Sequence, residues 1–100
     1  MPGELQRPDL YLLARILEQL EVSPEGQRPT ALQLACGINY TQLERYLEFM
    51  VARGLVTRDG AADGGRTLRI SDEGLRALEF LTRAIRDLLR EEFDPRRARG

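Results

Sequence analysis

The chain has 100 residues, enough for one domain with a small core. Fifteen basic residues against sixteen acidic ones leave a net charge of −1, which argues against a bulk DNA-coating protein, since those are usually basic. Histidine is absent and Cys36 is the single cysteine, so an intramolecular disulfide, a cysteine metal cluster and the commonest general base are all excluded.

No stretch approaches the ~18 apolar residues of a membrane span. The N-terminal run MPGELQRPDL has no apolar core that could act as a secretory signal. A cytoplasmic location, no membrane partner and no cofactor are therefore expected. All fifteen basic residues are arginine. Arginine pairs in bidentate fashion with phosphate and guanine, although a genomic compositional bias also accounts for the missing lysine. Residues 1–27 carry a net −3, residues 28–70 a net +2, and residues 71–100 seven charges of each sign. The middle of the chain is thus its most basic part.

Residues 1–8 hold Pro2, Gly3 and Pro8 and read as a loose arm. Asp9 is a good N-cap for a first helix over 10–21, with Leu10, Leu13, Ile16, Leu17 and Leu20 along one face. The run SPEGQRP at 23–29 is a loop. Thr30 is expected to cap a short helix, ALQLAC, that turns Leu32, Ala35 and Cys36 inward and ends at Gly37. Cys36 reads as a core residue, since the chain offers it no redox or ligand partner. Residues 37–40 form a turn. Asn39 is the next N-cap, with Gln42 completing a capping box and Ile38 against Leu43 forming a hydrophobic staple.

The third helix is predicted from Tyr40 to about Arg53. Leu43, Tyr46, Leu47, Met50 and Val51 form its buried stripe, whereas Thr41, Gln42, Arg45 and Glu48 project outward. Gly54 supplies a left-handed cap. Leu55 and Val56 open a strand that Arg58 leaves, DGAADGG at 59–65 makes a hairpin tip, and RTLRI at 66–70 returns. Leu68 and Ile70 point inward, Thr67 and Arg69 outward. The paired aspartates of the tip lack the spacing and terminal glutamate of a calcium loop. Ser71 caps a last helix reaching about Phe93, with Asp72 and Glu73 in its first turn. Pro95 ends it, and residues 95–100 form an arginine-rich tail.

The order helix, helix, helix, strand, strand, helix describes a mainly α fold with a small β-hairpin, the layout of a winged helix-turn-helix. Residues 9–70 make that domain and 71–94 a C-terminal dimerisation helix. In such a fold the third helix enters the DNA major groove. Thr41, Gln42 and Arg45 suit base edges and phosphates near its N-terminus, with Arg28, Asn39 and Tyr40 beside them. Glu44 and Glu48 oppose phosphate. Arg58, Arg66 and Arg69 flank the hairpin tip and would supply its charge. Tyr46 lies on the apolar stripe and reads as core.

On the last helix Leu75, Leu78, Leu81, Ile85, Leu88 and Leu89 make an apolar stripe, with Phe80 and Phe93 beside it. Its distal half, from Ile85 to Phe93, would outrun so small a domain. Leu78, Leu81, Ile85, Leu88, Leu89 and Phe93 are therefore the candidate interface of a homodimer. The alternative is that this helix folds back over the first and completes the chain's own core.

The stretch GINYTQLERYLEFMVARGLV resembles the small archaeal winged-helix proteins that dimerise through a long C-terminal helix. A capping Asn39 precedes Tyr40, an Arg45–Tyr46 pair lies midway along the third helix, and Leu55 and Val56 open the wing. Ile70, Ser71, Asp72, Glu73 and Gly74 match the opening of that family's last helix. The resemblance covers residues 10–93 and implies a dimeric double-stranded DNA binder. Near-zero net charge and a shorter last helix distinguish this chain from the family's best-known members. The first favours a site-selective transcriptional regulator over a chromatin-type DNA binder, and the second argues against an extended coiled coil but not against dimerisation. A protein–protein adaptor built on the same fold is the alternative. No nucleophile–base pair is evident, so no enzyme is expected.

Overall fold

A computed structural model of the protein describes residues 7–60 and 66–89. The elements are α1 (Leu10–Glu21), α2 (Pro29–Cys36), α3 (Tyr40–Ala52), β1 (Val56–Gly60), β2 (Arg66–Ile70) and α4 (Asp72–Leu89). The element order and the mainly helical class are those read from the sequence. The arm through residue 6, the hairpin tip at 61–65, Phe93 and the arginine-rich tail lie outside the described residues.

Three of the four helices begin where a side chain can satisfy their free N–H groups. Asp9 Oδ1 accepts the amides of Tyr11 and Leu12 at 2.9 and 3.2 Å. Asn39 Oδ1 accepts the amide of Gln42 at 2.8 Å. Ser71 Oγ accepts the amide of Gly74 at 3.0 Å. The second helix departs from this rule and from the sequence expectation. It starts at Pro29, with Arg28 in the cap position and no side-chain bond. Proline at the first helical position has no N–H to satisfy and its φ is already helical, so Thr30 is not needed as a cap. Gly37 and Gly54, at φ +67° and +73°, take the left-handed turns that end α2 and α3.

The core joins all six elements. Ile16, Leu17, Leu20, Leu32, Leu43, Leu47, Met50 and Leu68 are fully buried. On α1, Leu12 is buried and Leu10 is half exposed, the reverse of the expected assignment. The two leucines flank the same helical sector from opposite sides, and only the Leu12 side is covered. On α2 the buried stripe is narrower than expected: Leu32 and Cys36 are inside, Ala35 outside. Val51 sits at the edge of the α3 stripe and is 38% exposed.

The two strands pair antiparallel, from Val56 opposite Ile70 to Gly60 opposite Arg66. β1 therefore runs two residues into what the sequence suggests is loop. Gln27 and Leu68 exchange backbone bonds at 2.9 and 2.8 Å, so the α1–α2 loop lines the open edge of β2. The start of α4 is fixed to the end of α3. The Ser71 amide donates to the Leu55 carbonyl at 3.0 Å, and its hydroxyl donates to the Gly54 carbonyl. Gly74 is buried directly over this joint.

Candidate nucleic-acid interface

Helix α3 presents two faces. Leu43, Tyr46, Leu47 and Met50 face the core and are at most 5% exposed. Thr41, Arg45, Glu48 and Ala52 recur at helical spacing on the opposite side, and all are exposed. Gln42 and Tyr40 flank this ridge near the N-terminus and are exposed too. Tyr46 is a core residue, as the sequence indicates, and it has a further task. Its Oη accepts the Asp9 amide at 2.8 Å, tying the start of α1 to the middle of α3. The outward ridge thus stands on a helix anchored along its whole inner face.

Asn39 holds the helix start through its cap bond and is exposed, so its side-chain oxygen is already engaged. Arg28 is exposed at the start of α2. Arg45 and Arg66 are exposed, Arg45 in the centre of the α3 ridge and Arg66 at the outer end of β2.

Of the wing arginines, Arg58 is placed differently from the sequence expectation, and Arg69 points outward as expected but is not free. Arg58 does not leave the strand toward solvent. Alternation along β1 puts it on the same side as the buried Val56, opposite Leu68, facing the body of the domain. Its Nη1 lies 3.8 Å from Glu44 Oε1 on α3, and both side chains are less than a quarter exposed. Its Nε and Nη2 are buried and have no hydrogen-bond partner among the described residues. Arg69 lies on the outer face and is tied twice. Its Nε donates to the Glu25 carbonyl at 3.1 Å and its Nη1 pairs with Asp59 at 3.5 Å. The longer strand β1 explains the place of Arg58 and the pairing of Arg69, because it sets Arg58 and Asp59 in a pleated register rather than in a loop.

Arg53 was not among the sequence candidates. Its guanidinium stacks 3.8 Å above the Phe49 ring at the far end of α3. An aromatic four residues before an arginine at a helix end is the signal that points to it. Cys36 is buried, and burial pushes its thiol pKa up while nearby Arg15 pulls it down more weakly. It is a core residue. Among the described residues no group of acidic, histidine or cysteine side chains is placed to hold a metal ion, and no helix is long and apolar enough to cross a membrane.

The candidate interface residues on α4 divide into two groups. Leu78 and Leu81 are buried in the chain's own core, at 5% and 8% exposure. Leu88 and Leu89 are exposed, Ile85 is half-buried, and Phe80 is 72% exposed. The proximal half of α4 therefore packs on its own domain, as the fold-back alternative has it, and the distal half carries an open apolar surface.

Three helices, a two-stranded wing pinned against the third of them and a closing helix form one continuous pattern. The family model for the winged helix-turn-helix matches residues 6–89. The chain belongs to that family. Among solved structures, the winged-helix fold is shared with Sso10a-2, a DNA-binding protein from Sulfolobus solfataricus. That match has 22% identity and a TM-score of 0.71, and covers 80% of each chain. The transcriptional regulator BldR from the same organism matches at 18% identity and TM-score 0.73, over 85% of this chain and 63% of BldR. The PcaV transcriptional regulator from Streptomyces coelicolor matches at 24% identity and TM-score 0.69, over 74% of this chain and 55% of PcaV. The chain thus spans four fifths of the length of Sso10a-2 but under two thirds of either regulator. No curated protein matches it.

Proposed function

We propose that this protein binds double-stranded DNA as a homodimer and acts as a site-selective transcriptional regulator. The observation that carries the reading is the outward ridge of α3. Thr41 and Arg45, with Gln42 beside them, stand exposed on a helix whose opposite face is wholly buried. That is the arrangement a helix needs to enter a major groove with its N-terminal half. Arg28 and Arg66 add exposed positive charge on neighbouring elements. Sso10a-2, which shares the fold, is described as DNA-binding, and BldR and PcaV as transcriptional regulators. Near-zero net charge supports selective binding over bulk coating.

The distal half of α4 supports the dimer. Ile85, Leu88 and Leu89 fall on one side of the helix there, the two leucines exposed and Ile85 half-buried. Covering such a surface with a second copy removes about 0.8 kcal/mol of exposure per methylene. A dimer joined there would set the spacing of two DNA half-sites.

A second reading, a protein-binding adaptor, draws on one specific observation. Glu48 sits in the middle of the α3 ridge, and Arg58 and Arg69 are each paired with an acid of the same chain. Fluorescence anisotropy with a duplex pool of random sequence, across a salt series, separates the two. The DNA reading expects affinity to fall with salt at a log–log slope of several, about 0.9 for each phosphate contacted. Absence of binding at low salt would overturn it and leave the adaptor.

A further inference from the structure

The pair Glu44–Arg58 lies in the seam between the reading helix and the wing. We infer that Arg58 is a stowed phosphate ligand and that Glu44 is the residue that restrains it. This inference rests on the DNA-binding reading.

Geometry places the pair where a DNA strand would pass. With α3 in the major groove and the wing over the adjacent minor groove, the phosphates dividing the two grooves run along the seam between them. On α3, Glu44 is on the flank of the outward ridge that faces β1, and Arg58 reaches it from the inward side of β1. Among the described residues no other ion pair joins the wing to α3.

The resting position of Arg58 is incompletely satisfied. Its single charged contact, at 3.8 Å, is too long for a hydrogen bond. Two of its guanidinium nitrogens are covered and unmatched. Unmatched buried donors favour any rearrangement that supplies acceptors. A phosphate supplies two in the plane of the guanidinium, which is the bidentate geometry arginine prefers. Arg69 differs, because its Nε is already matched by the Glu25 carbonyl. Binding then exchanges partners: Arg58 leaves Glu44 for a phosphate, and Glu44 turns to water. The carboxylate acts as a positioning residue that weakens binding to any backbone unable to draw Arg58 out.

The test is a double-mutant cycle on DNA affinity with its salt dependence, using the full chain and the random-sequence duplex pool. Arg58→Met should lower the log–log slope by about 0.9, the loss of one phosphate contact, and Arg58→Lys should keep it. Glu44→Gln should tighten binding about two- to fivefold, the range of a partly exposed ion pair. In the Arg58→Met background that gain should shrink to less than half. Arg58→Gln replaces Arg58→Met if the latter does not fold. Either an unchanged slope in Arg58→Met or its substitute Arg58→Gln, or a Glu44→Gln gain of equal size in both backgrounds, would overturn the inference while leaving DNA binding intact. A wild-type chain that binds no DNA would overturn the parent reading, and this inference with it.

Discussion

Replacing Gly74 with alanine tests the joint on which α4 is mounted. In an exposed helix this change stabilises by about 1 kcal/mol, because glycine is the poorer helix former. At this position a Cβ would lie 2.1 Å from the Leu55 carbonyl oxygen and 2.7 Å from Ile70 Cγ1. An ordinary carbon–oxygen contact is about 3.3 Å, so one side must retreat by about 1 Å. The obstacle is backbone, and it is engaged: the same carbonyl accepts the Ser71 amide at 3.0 Å. Overpacking of this kind costs about 1–3 kcal/mol, and loss of the Ser71 bond about 1 kcal/mol more. Set against the helix-propensity gain, Gly74→Ala should destabilise the fold by about 1–3 kcal/mol. For a domain of this size that is a fall in melting temperature of about 5–20 °C. Thermal unfolding followed by circular dichroism reads it directly. Glu79→Ala, an exposed change on the same helix, should stay within about 0.5 kcal/mol. A Gly74→Ala protein that melts at or above the wild-type temperature would refute the argument, since the joint would then have room that the geometry denies it.

Three further outcomes follow from the same structure. Arg45→Ala should weaken binding to the random duplex pool and reduce the salt slope by about 0.9 if Arg45 meets a phosphate, with the melting temperature unchanged because the side chain is exposed. An unaltered slope and affinity would remove Arg45 from the interface. Leu88→Glu should convert a dimer into a monomer in sedimentation velocity, while the monomer keeps its helical signal, because Leu88 is 59% exposed and lies outside the core. A dimer that survives Leu88→Glu would place the interface elsewhere. Cys36 has a folded-state thiol pKa raised by burial, so the folded state resists ionisation that the unfolded chain permits. Stability should be flat below the ordinary thiol pKa of about 8.5 and decline as pH rises above it. Cys36→Ala should lessen that alkaline decline in urea titrations, and an unchanged pH profile would refute the assignment.

Much of the fold could be read from the sequence because its signals are local. Asp9, Asn39 and Ser71 cap helices through atoms two or three residues away, so the starts of α1, α3 and α4 were legible. The apolar spacing of Leu43, Tyr46, Leu47 and Met50 is a helical period, and it marked the buried face of α3 and thereby the exposed ridge. Leu68 and the turn glycines Gly37 and Gly54 were equally plain.

Where a side chain's place depends on a distant partner, the sequence had no means of showing it. Leu10 and Leu12 are equivalent by periodicity, and only packing decided that Leu12 is covered. Leu78 and Leu81 looked like surface for a second chain until α4 lay back against α1 and enclosed them. Arg58 and Arg69 read as free wing charges, because a glycine- and aspartate-rich run signals a loop. Pairing with β2 drew Asp59 and Gly60 into the strand, turned Arg58 inward to Glu44, and set Arg69 beside Asp59. Caps and amphipathic stripes are set by neighbours along the chain, so the sequence by itself determined the elements and the face that α3 exposes. Ion pairs and the partition of α4 between core and surface arise between residues far apart in sequence, and only the tertiary structure decided which charges remain available to a partner.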